Sequence, residues 1–351
     1  MPEKDYLQED LERIARKAHE LGLSGSTVYI TGASGLVGSI VCRGLLAHNA
    51  WYAKAPISII AGCRNLKKAK RLLGNQDEHL LFQQNDLRRG MSMPRQCDWI
   101  IHAACPTASR EFMAEPVEVI DAIVLGTRNA LEFARTRRVK GVLFVSSMEA
   151  FGQVSNGTSR SKEEDLGFID LRSVRSCYPE GKRLAELLCH CYSKEYGVPA
   201  KVARLAQTFG AGVGPEEGRV FAQFARSAAS GRDIVLHTEG QSMGNYCYLA
   251  DAVCGMLTIL VRGEIGQTYT VANEAMTMNI AQMADLVADK ISGGRSQVVF
   301  DTSERNARGY AADTSLRLDA SRLRSLGWKP LYGLVEAYER MLPGVTRSRD
   351  A

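Results

Sequence analysis

An α/β fold, a doubly wound parallel sheet with a smaller C-terminal α/β lobe, is what this sequence predicts, and three observations predict it. Short β-branched runs alternate with longer amphipathic ones from Thr27 to Leu205. A glycine-rich turn, Gly32 to Gly38, follows the first of those runs. Beyond Thr208 the alternation gives way to the Gly/Pro-rich stretch Gly210 to Gly218 and then to mixed segments.

In chain order, residues 3–22 are polar except for a stripe at Leu7, Leu11, Ile14, Ala18 and Leu21, the spacing of a helix that packs on the outside of a domain. Residues 1–26 are therefore expected to be an N-terminal helical extension. The runs 28–31, 57–61, 80–84, 99–103, 142–146 and 201–205 read as parallel strands, which places the first domain at 27–207. Residues 208–351 are expected to form most of the smaller lobe, with a helix near 220–230 and a stretch at about 236–275 returning to the sheet. The loops at the strand ends face one sheet edge, where doubly wound folds bind their ligands.

The 351 residues are 45% hydrophobic and 24% charged, and 44 basic against 39 acidic residues leave a net charge of only +5. That balance gives no electrostatic ground for nucleic acid or membrane as a partner. The basic run from Arg135 to Lys140 falls where a helix ends before a strand and complements the helix dipole. Nine cysteines lack the paired spacing of a disulfide framework or zinc site, so a reducing, cytoplasmic setting is expected. Cys189-His190-Cys191 are adjacent on a helical pattern and diverge, so no metal site is expected. No signal-type segment stands at the N-terminus, and no apolar run reaches the roughly 20 residues that span a bilayer.

The chemistry begins at Thr31-Gly32-Ala33-Ser34-Gly35-Leu36-Val37-Gly38, a strand-to-helix turn whose glycines let backbone approach a pyrophosphate at the helix start. This is the dinucleotide turn of a Rossmann sheet. After the second strand, Arg64 stands where an NAD site usually carries an acid. Two readings of Arg64 stay open: a contact to the 2′-phosphate of NADP, or a solvated side chain. Asp86-Leu87, after the third strand, either meets the adenine amino group or caps a helix. Ala103 and Ala104 offer a small surface for a cofactor, and His102 before them reads as a packed histidine.

After the fifth strand comes Ser147, and farther on Tyr178-Pro179-Glu180-Gly181-Lys182. Tyrosine and lysine four apart share a helix face, and Pro179 suits a first helical turn. A lysine ammonium and a positive nicotinamide ring both favour the phenolate, so Tyr178 is the candidate base, with Ser147 bonding the same substrate oxygen.

With these motifs in order, residues 27 to about 255 resemble the extended short-chain dehydrogenase/reductase family, within it the NAD-dependent sugar epimerases, dehydratases and decarboxylases. The stretches CYPEGKRLAE (Cys177 to Glu186) and RLAQTFG (Arg204 to Gly210) look like UDP-glucuronate decarboxylases. The resemblance implies tightly bound NAD or NADP, transient oxidation of a nucleotide-linked sugar at C4, and a nucleoside diphosphate held by the C-terminal lobe. It implies that Glu149 handles a second proton, against the plain reading of a surface carboxylate at a strand end. Met148 stands where many dehydratases carry an aspartate.

On the substrate side the resemblance points to Gln207, in the place of an asparagine, and to Gly244, in the place of a diphosphate-binding arginine. It suggests Arg219 as a replacement charge and His237 as a base-stacking ring, each with a packing or surface reading beside it. Ile123 replaces a common asparagine. Relatives pair through the Tyr/Lys helix and its neighbour, so Leu184, Leu187 and Leu188 fit a homodimer interface or a monomer's core. An NADPH-dependent carbonyl reductase acting on a non-nucleotide substrate is the second reading, and a cofactor-binding module without catalysis the third.

Overall fold

A computed structural model describes residues 5–74, 77–91, 96–154, 159–303 and 313–347. Its strands are β1 (Thr27–Thr31), β2 (Ser58–Cys63), β3 (Leu80–Gln84), β4 (Trp99–His102), β5 (Gly141–Ser147), β6 (Ala200–Leu205), β7 (Gln207–Phe209), β8 (Ile234–Leu236), β9 (Met243–Tyr248), β10 (Thr268–Val271), β11 (Asn273–Asn279) and β12 (Val298–Phe300). Seven of them form one sheet in the order β10-β6-β5-β4-β1-β2-β3, and every pairing in it is parallel.

The continuous apolar runs of β1, β2, β4, β5 and β6 are buried almost end to end because helices cover both faces. On one face Val28, Ile30, Ile59 and Val145 pack with α1 (Tyr6–Glu20), α2 (Leu36–Trp51) and a later helix, α8 (Leu249–Arg262). On the other, Tyr29, Ile60, Val142 and Phe144 pack with α5 (Pro116–Arg137) and α6 (Cys177–Tyr196). The direction of winding reverses between β1 and β4, and a ligand crevice belongs at the carboxyl ends of those strands. Short helices α3 (Leu66–Leu73) and α4 (Ser109–Ala114) flank that edge.

Of the stretch at about 236–275, only β10 joins the main sheet. Ala206 separates β6 from β7 and takes the chain out of that sheet, so β9 pairs with β7 in parallel and with β11 antiparallel. The expected helix is α7 (Val220–Ala229), and β8 and β12 make a separate parallel pair. The chain then continues through α9 (Ile280–Leu286) and α10 (Ser321–Ser325) to α11 (Leu334–Val345).

The N-terminal helix is more than an outer covering. Leu11, Ile14, Ala15 and Ala18 are buried, and Ile14 lies so close to α2 that a Cβ on Gly44 would fall 2.3 Å from its Cγ2. Asp10 is 1% exposed and meets Arg340 of α11 at 2.8 Å, while Tyr248 donates to its other oxygen. Arg340 also reaches Glu9 at 3.0 Å and the Tyr6 carbonyl at 3.2 Å. Arg13 pairs with the fully buried Asp251 of α8, whose carboxylate also accepts from the backbone N–H groups of Leu331 and Tyr332. The polar residues that made this segment read as peripheral are thus the ones that lock it to the C-terminal lobe. No helix among the described residues is long and apolar enough to cross a membrane.

Candidate active site

The glycine turn is shaped by close backbone packing. Gly32 has φ of +72°, and a Cβ there would lie 2.7 Å from the Ala103 carbonyl oxygen, so the turn presses directly on the end of β4. A Cβ on Gly38 would lie 2.3 Å from the Gly32 carbonyl oxygen, so the start of α2 seals against the turn. Gly35 occupies the cap position of α2 with no capping side chain, leaving the first N–H groups of Leu36, Val37 and Gly38 for an anion. Ala103 and Ala104 follow β4 at the opposite wall, and Thr31 Oγ1 accepts from the Ala104 N–H at 3.2 Å. His102 is buried between Thr31 (2.8 Å) and Thr127 (3.2 Å), and burial, with Lys182 second, pulls its pKa down to about 3. It is a neutral packing group.

At the next strand ends, Arg64 is exposed, while Asp86 is engaged twice. Asp86 accepts from the Arg88 N–H, capping a short turn, and its two oxygens take the Arg88 guanidinium at 2.6–3.1 Å. The bond to Arg88 is the main reason its pKa falls to about 2. Leu87 is buried, with its carbonyl accepting from Asn129 of α5 at 2.7 Å.

Strand β5 delivers Ser147, whose Oγ accepts the Glu149 N–H at 3.2 Å and turns the chain sharply. Tyr178 stands in the first turn of α6, only 6% exposed, with its ring stacked on Phe112 of α4 at 4.4 Å between centroids. The Ser147 hydroxyl lies close enough to the Tyr178 phenol to act on its ionisation. One turn on, Lys182 donates to the Val145 carbonyl at 2.8 Å and lies 5.7 Å from the Tyr178 ring centre. A buried set behind them, Ser146–Glu186–Arg204, joins β5, α6 and β6, with the Arg204 guanidinium 2.7 Å from Glu186.

Several influences act on the ionisation of Tyr178. Burial dominates and pushes the phenol well above the ordinary tyrosine range, with Cys105 and Glu149 adding to the rise. The Ser147 hydrogen bond and the charge of Arg219 act in the opposite sense. In the structure as it stands the phenol is protonated at neutral pH.

The substrate candidates are not all assembled. Arg219 caps α7 from the smaller lobe and is near enough for its charge to be felt at Tyr178, but Glu217 takes its guanidinium at 2.7 Å. Gln207 is half-buried and pairs in register with Tyr246. His237 sits apart on the β8–β12 side, 3.2 Å from the Asp301 carbonyl. At Gly244 the absent side chain is replaced by a neighbour: a Cβ there would lie 2.3 Å from the Tyr246 hydroxyl, which is buried without a partner among the described residues.

A family model described as the NAD dependent epimerase/dehydratase family matches residues 28–272. This chain belongs to the NAD-dependent epimerase/dehydratase family. The match runs from β1 to the residue after β10 and so takes in the glycine turn, Ser147, Tyr178 and Lys182. UDP-glucuronic acid decarboxylase 6 of Arabidopsis thaliana is 26% identical over 319 residues, 91% of this chain and 88% of that protein. Among solved structures, an epimerase from Methanothermobacter thermautotrophicus superimposes with a TM-score of 0.76 at 22% identity, covering 95% of both chains. The UDP-glucuronic acid 4-epimerase of Bacillus cereus, in complex with UDP-glucuronic acid and NAD, gives 0.72 at 18% identity, covering 91% of this chain and 98% of that one. These structural likenesses establish the fold. The uncapped N–H groups at the start of α2, brought up by this tight glycine turn, fit the pyrophosphate of the dinucleotide in the family's description.

Two residues that sequence reasoning missed join the candidate site. Arg175 donates to both Glu149 oxygens, at 2.8 and 3.3 Å, and stands over the Phe112 ring at 5.8 Å. Cys105, after β4, donates to the Pro106 carbonyl at 3.1 Å and lies within electrostatic range of Lys182 and Tyr178. Arg175 sits three residues before Tyr178 in a loop with no periodic pattern, and only its place near the catalytic motif hinted at it. No group of three His, Cys, Asp or Glu side chains among the described residues is arranged to hold a metal ion.

Proposed function

We propose that this chain modifies a nucleotide-linked sugar by transient oxidation of a ring hydroxyl, followed by elimination, decarboxylation or inversion and re-reduction. The observation that carries it is the joint placement of Ser147, Tyr178 and Glu149 on one wall, with Glu149 fixed by Arg175 beside the Ser147–Tyr178 pair. Gly32, Gly35, Leu36, Val37 and Gly38 would hold the pyrophosphate of NAD(P), Arg64, Asp86 and Leu87 its adenosine side, and Ala103, Ala104, Tyr178 and Lys182 its nicotinamide side. When bound, the oxidised dinucleotide supplies a hydride acceptor and a positive charge that offsets the burial of the phenol.

In this scheme Tyr178 takes the proton of the sugar hydroxyl, and Ser147 donates to the same oxygen. Lys182, anchored on Val145, keeps an ammonium behind the phenol. Glu149, held in place by Arg175, accepts the second proton, which a neighbouring ketone makes acidic. Gln207, Arg219 and His237 are the candidates for the nucleoside diphosphate end. The similarity to UDP-glucuronic acid decarboxylases makes UDP-glucuronate the first substrate to try.

Incubation of the purified protein with UDP-, dTDP-, GDP- and CDP-sugars, followed by mass spectrometry, NMR and absorbance at 340 nm, is the test. Loss of water or carbon dioxide, or an isomer of unchanged mass, without net nicotinamide reduction is expected. Steady NADPH consumption on simple carbonyls, with no nucleotide sugar turned over, would establish the second reading, a carbonyl reductase. That reading is favoured by Gly244, where the Tyr246 phenol leaves no room for a phosphate-binding side chain.

A homodimer is part of the proposal. Val117 and Ile120 of α5 (63% and 41% exposed) and Leu184 and Leu187 of α6 (45% and 56%) form an apolar surface that a second copy would cover. Light scattering during size exclusion should give twice the chain mass.

A further inference from the structure

We infer that the adenosine end of the dinucleotide site is built for a 2′-phosphate, so that this chain selects NADP over NAD although its family is described by NAD. The inference rests on the dinucleotide reading above and deepens it.

The end of β2 has a fixed place in the fold. The Ala33 N–H donates to the Gly62 carbonyl at 3.0 Å, which sets β2 against the glycine turn, and the Asn85 N–H donates to the Cys63 carbonyl at 3.2 Å. Gln84 Nε2 then donates to the Arg64 carbonyl at 3.0 Å, so the backbone of Arg64 is held between the glycine turn and the loop after β3. Dinucleotides place their adenosine ribose at this point of a doubly wound sheet, and the side chains here decide what the 2′ position meets.

A free 2′-hydroxyl asks for an acceptor, usually a carboxylate, and none is available at the end of β2. Position 62 cannot carry one, because a Cβ there would lie 2.5 Å from the Tyr29 ring that fills the space. Cys63 is buried. Asn65 Oδ1 caps α3 by accepting the Lys68 N–H at 2.9 Å, and Asn85, whose Nδ2 donates to the Tyr29 hydroxyl at 2.8 Å, is a neutral amide and no carboxylate. The nearest acid, Asp86, has both oxygens on Arg88.

The Arg64 guanidinium is in a different condition. It is exposed, it has no ion-pair partner among the described residues, and its charge reaches as far as Asp86. Lys67 and Lys68 stand exposed on the following turn and add to the positive field. Asp86 does not cancel that field, because Arg88 neutralises it. A hydroxyl would leave this arrangement unanswered, whereas a phosphate dianion matches a planar guanidinium fork.

The test starts from the protein as purified. Heat release and mass spectrometry of any retained nucleotide are expected to give NADP(H). Titration calorimetry of nucleotide-free protein should show NADP+ bound roughly 10- to 100-fold more tightly than NAD+, the range of one charge-assisted hydrogen-bonded pair. The same ratio is expected between 2′,5′-ADP and 5′-AMP. Arg64→Met should abolish the preference while leaving NAD+ affinity within about 2-fold, and Arg64→Asp should reverse it. Equal or tighter binding of NAD+ by the unaltered protein, or parallel loss of both ligands in Arg64→Met, would overturn the inference and leave the sugar-modifying reading in place. Binding of neither dinucleotide would overturn both. Because Arg64 is exposed, an unchanged melting temperature of the variants separates a binding loss from a folding defect.

Discussion

Arg175 grips Glu149 across 26 residues of sequence, with both carboxylate oxygens within 3.3 Å of its guanidinium. The pair is about one-third exposed on each side, so it contributes little to stability, and its effect is to hold one carboxylate aimed beside the Tyr178 phenol. Replacing Arg175 by Met should therefore leave melting nearly unchanged and lower sugar turnover by roughly 10- to 100-fold, with Lys recovering part of the loss through charge without the bidentate grip. Glu149→Gln should lower it by about 10²- to 10⁴-fold. Product formation from UDP-glucuronate checks both, and wild-type rates in Glu149→Gln would remove Glu149 from the mechanism.

The ionisation of Tyr178 gives a second expectation. Burial raises its phenol, and the Ser147 hydrogen bond is one of two influences that lower it. Ser147→Ala should shift the rising limb of kcat/KM to higher pH as well as lowering the plateau. Tyr178→Phe should reduce turnover by about 10³-fold at every pH, while the dinucleotide still binds in calorimetry. A profile in Ser147→Ala that moves to lower pH would contradict the assigned direction.

Gly244 and Tyr246 form a steric pair. Arginine at 244 alone should destabilise the fold by about 1–3 kcal/mol, because its Cβ meets the buried Tyr246 hydroxyl. The double variant Gly244→Arg with Tyr246→Val removes the ring carbons at 2.6 Å together with that oxygen, which also lacks a partner, and should recover part of the stability. It should also gain affinity for UDP, on the order of 10-fold for one added charged contact. Denaturant melts and UDP calorimetry on the three proteins check this, and a single variant as stable as the parent would refute the packing argument.

A pH dependence follows from the buried Asp10. Burial raises its pKa from 3.8 to about 6 and outweighs Tyr248 and Arg340, which act to lower it. The folded state therefore binds the proton more tightly than the unfolded chain. Its stabilising share is full below about pH 4 and is lost as pH rises through 6. The stability of the parent relative to Asp10→Asn should fall by on the order of 2 kcal/mol between pH 4 and pH 7. A flat difference across that range would mean that Arg340 compensates the charge fully.

What could be read from the residues was whatever local spacing encodes. The glycine turn needs glycines at 32, 35 and 38, and the i, i+4 placement of Tyr178 and Lys182 is a property of one helix. The strand runs were legible because a parallel sheet covered on both faces admits few polar residues. The partners of Glu149 and Lys182 were not legible, because Arg175 and Cys105 reach them only after separate loops converge. The depth of α1 was hidden for a related reason: Asp10 and Arg340 stand 330 residues apart, and a charged residue facing inward reads as exposed until its counter-charge is in place. The Tyr246 phenol over Gly244 was equally silent, since a missing side chain does not announce what fills its space.

The grip of Arg340 on the first helix also sets an order of events during synthesis. The ribosome makes α1 well before α11, so the guanidinium that answers the Asp10 carboxylate emerges 330 residues after it. Until then the nascent chain carries a helix whose apolar stripe can dock on α2 but whose charged rim lacks the Arg340 guanidinium. The emergence of α11 is then the moment at which these two helices can zip together, so a helix made early is finished late.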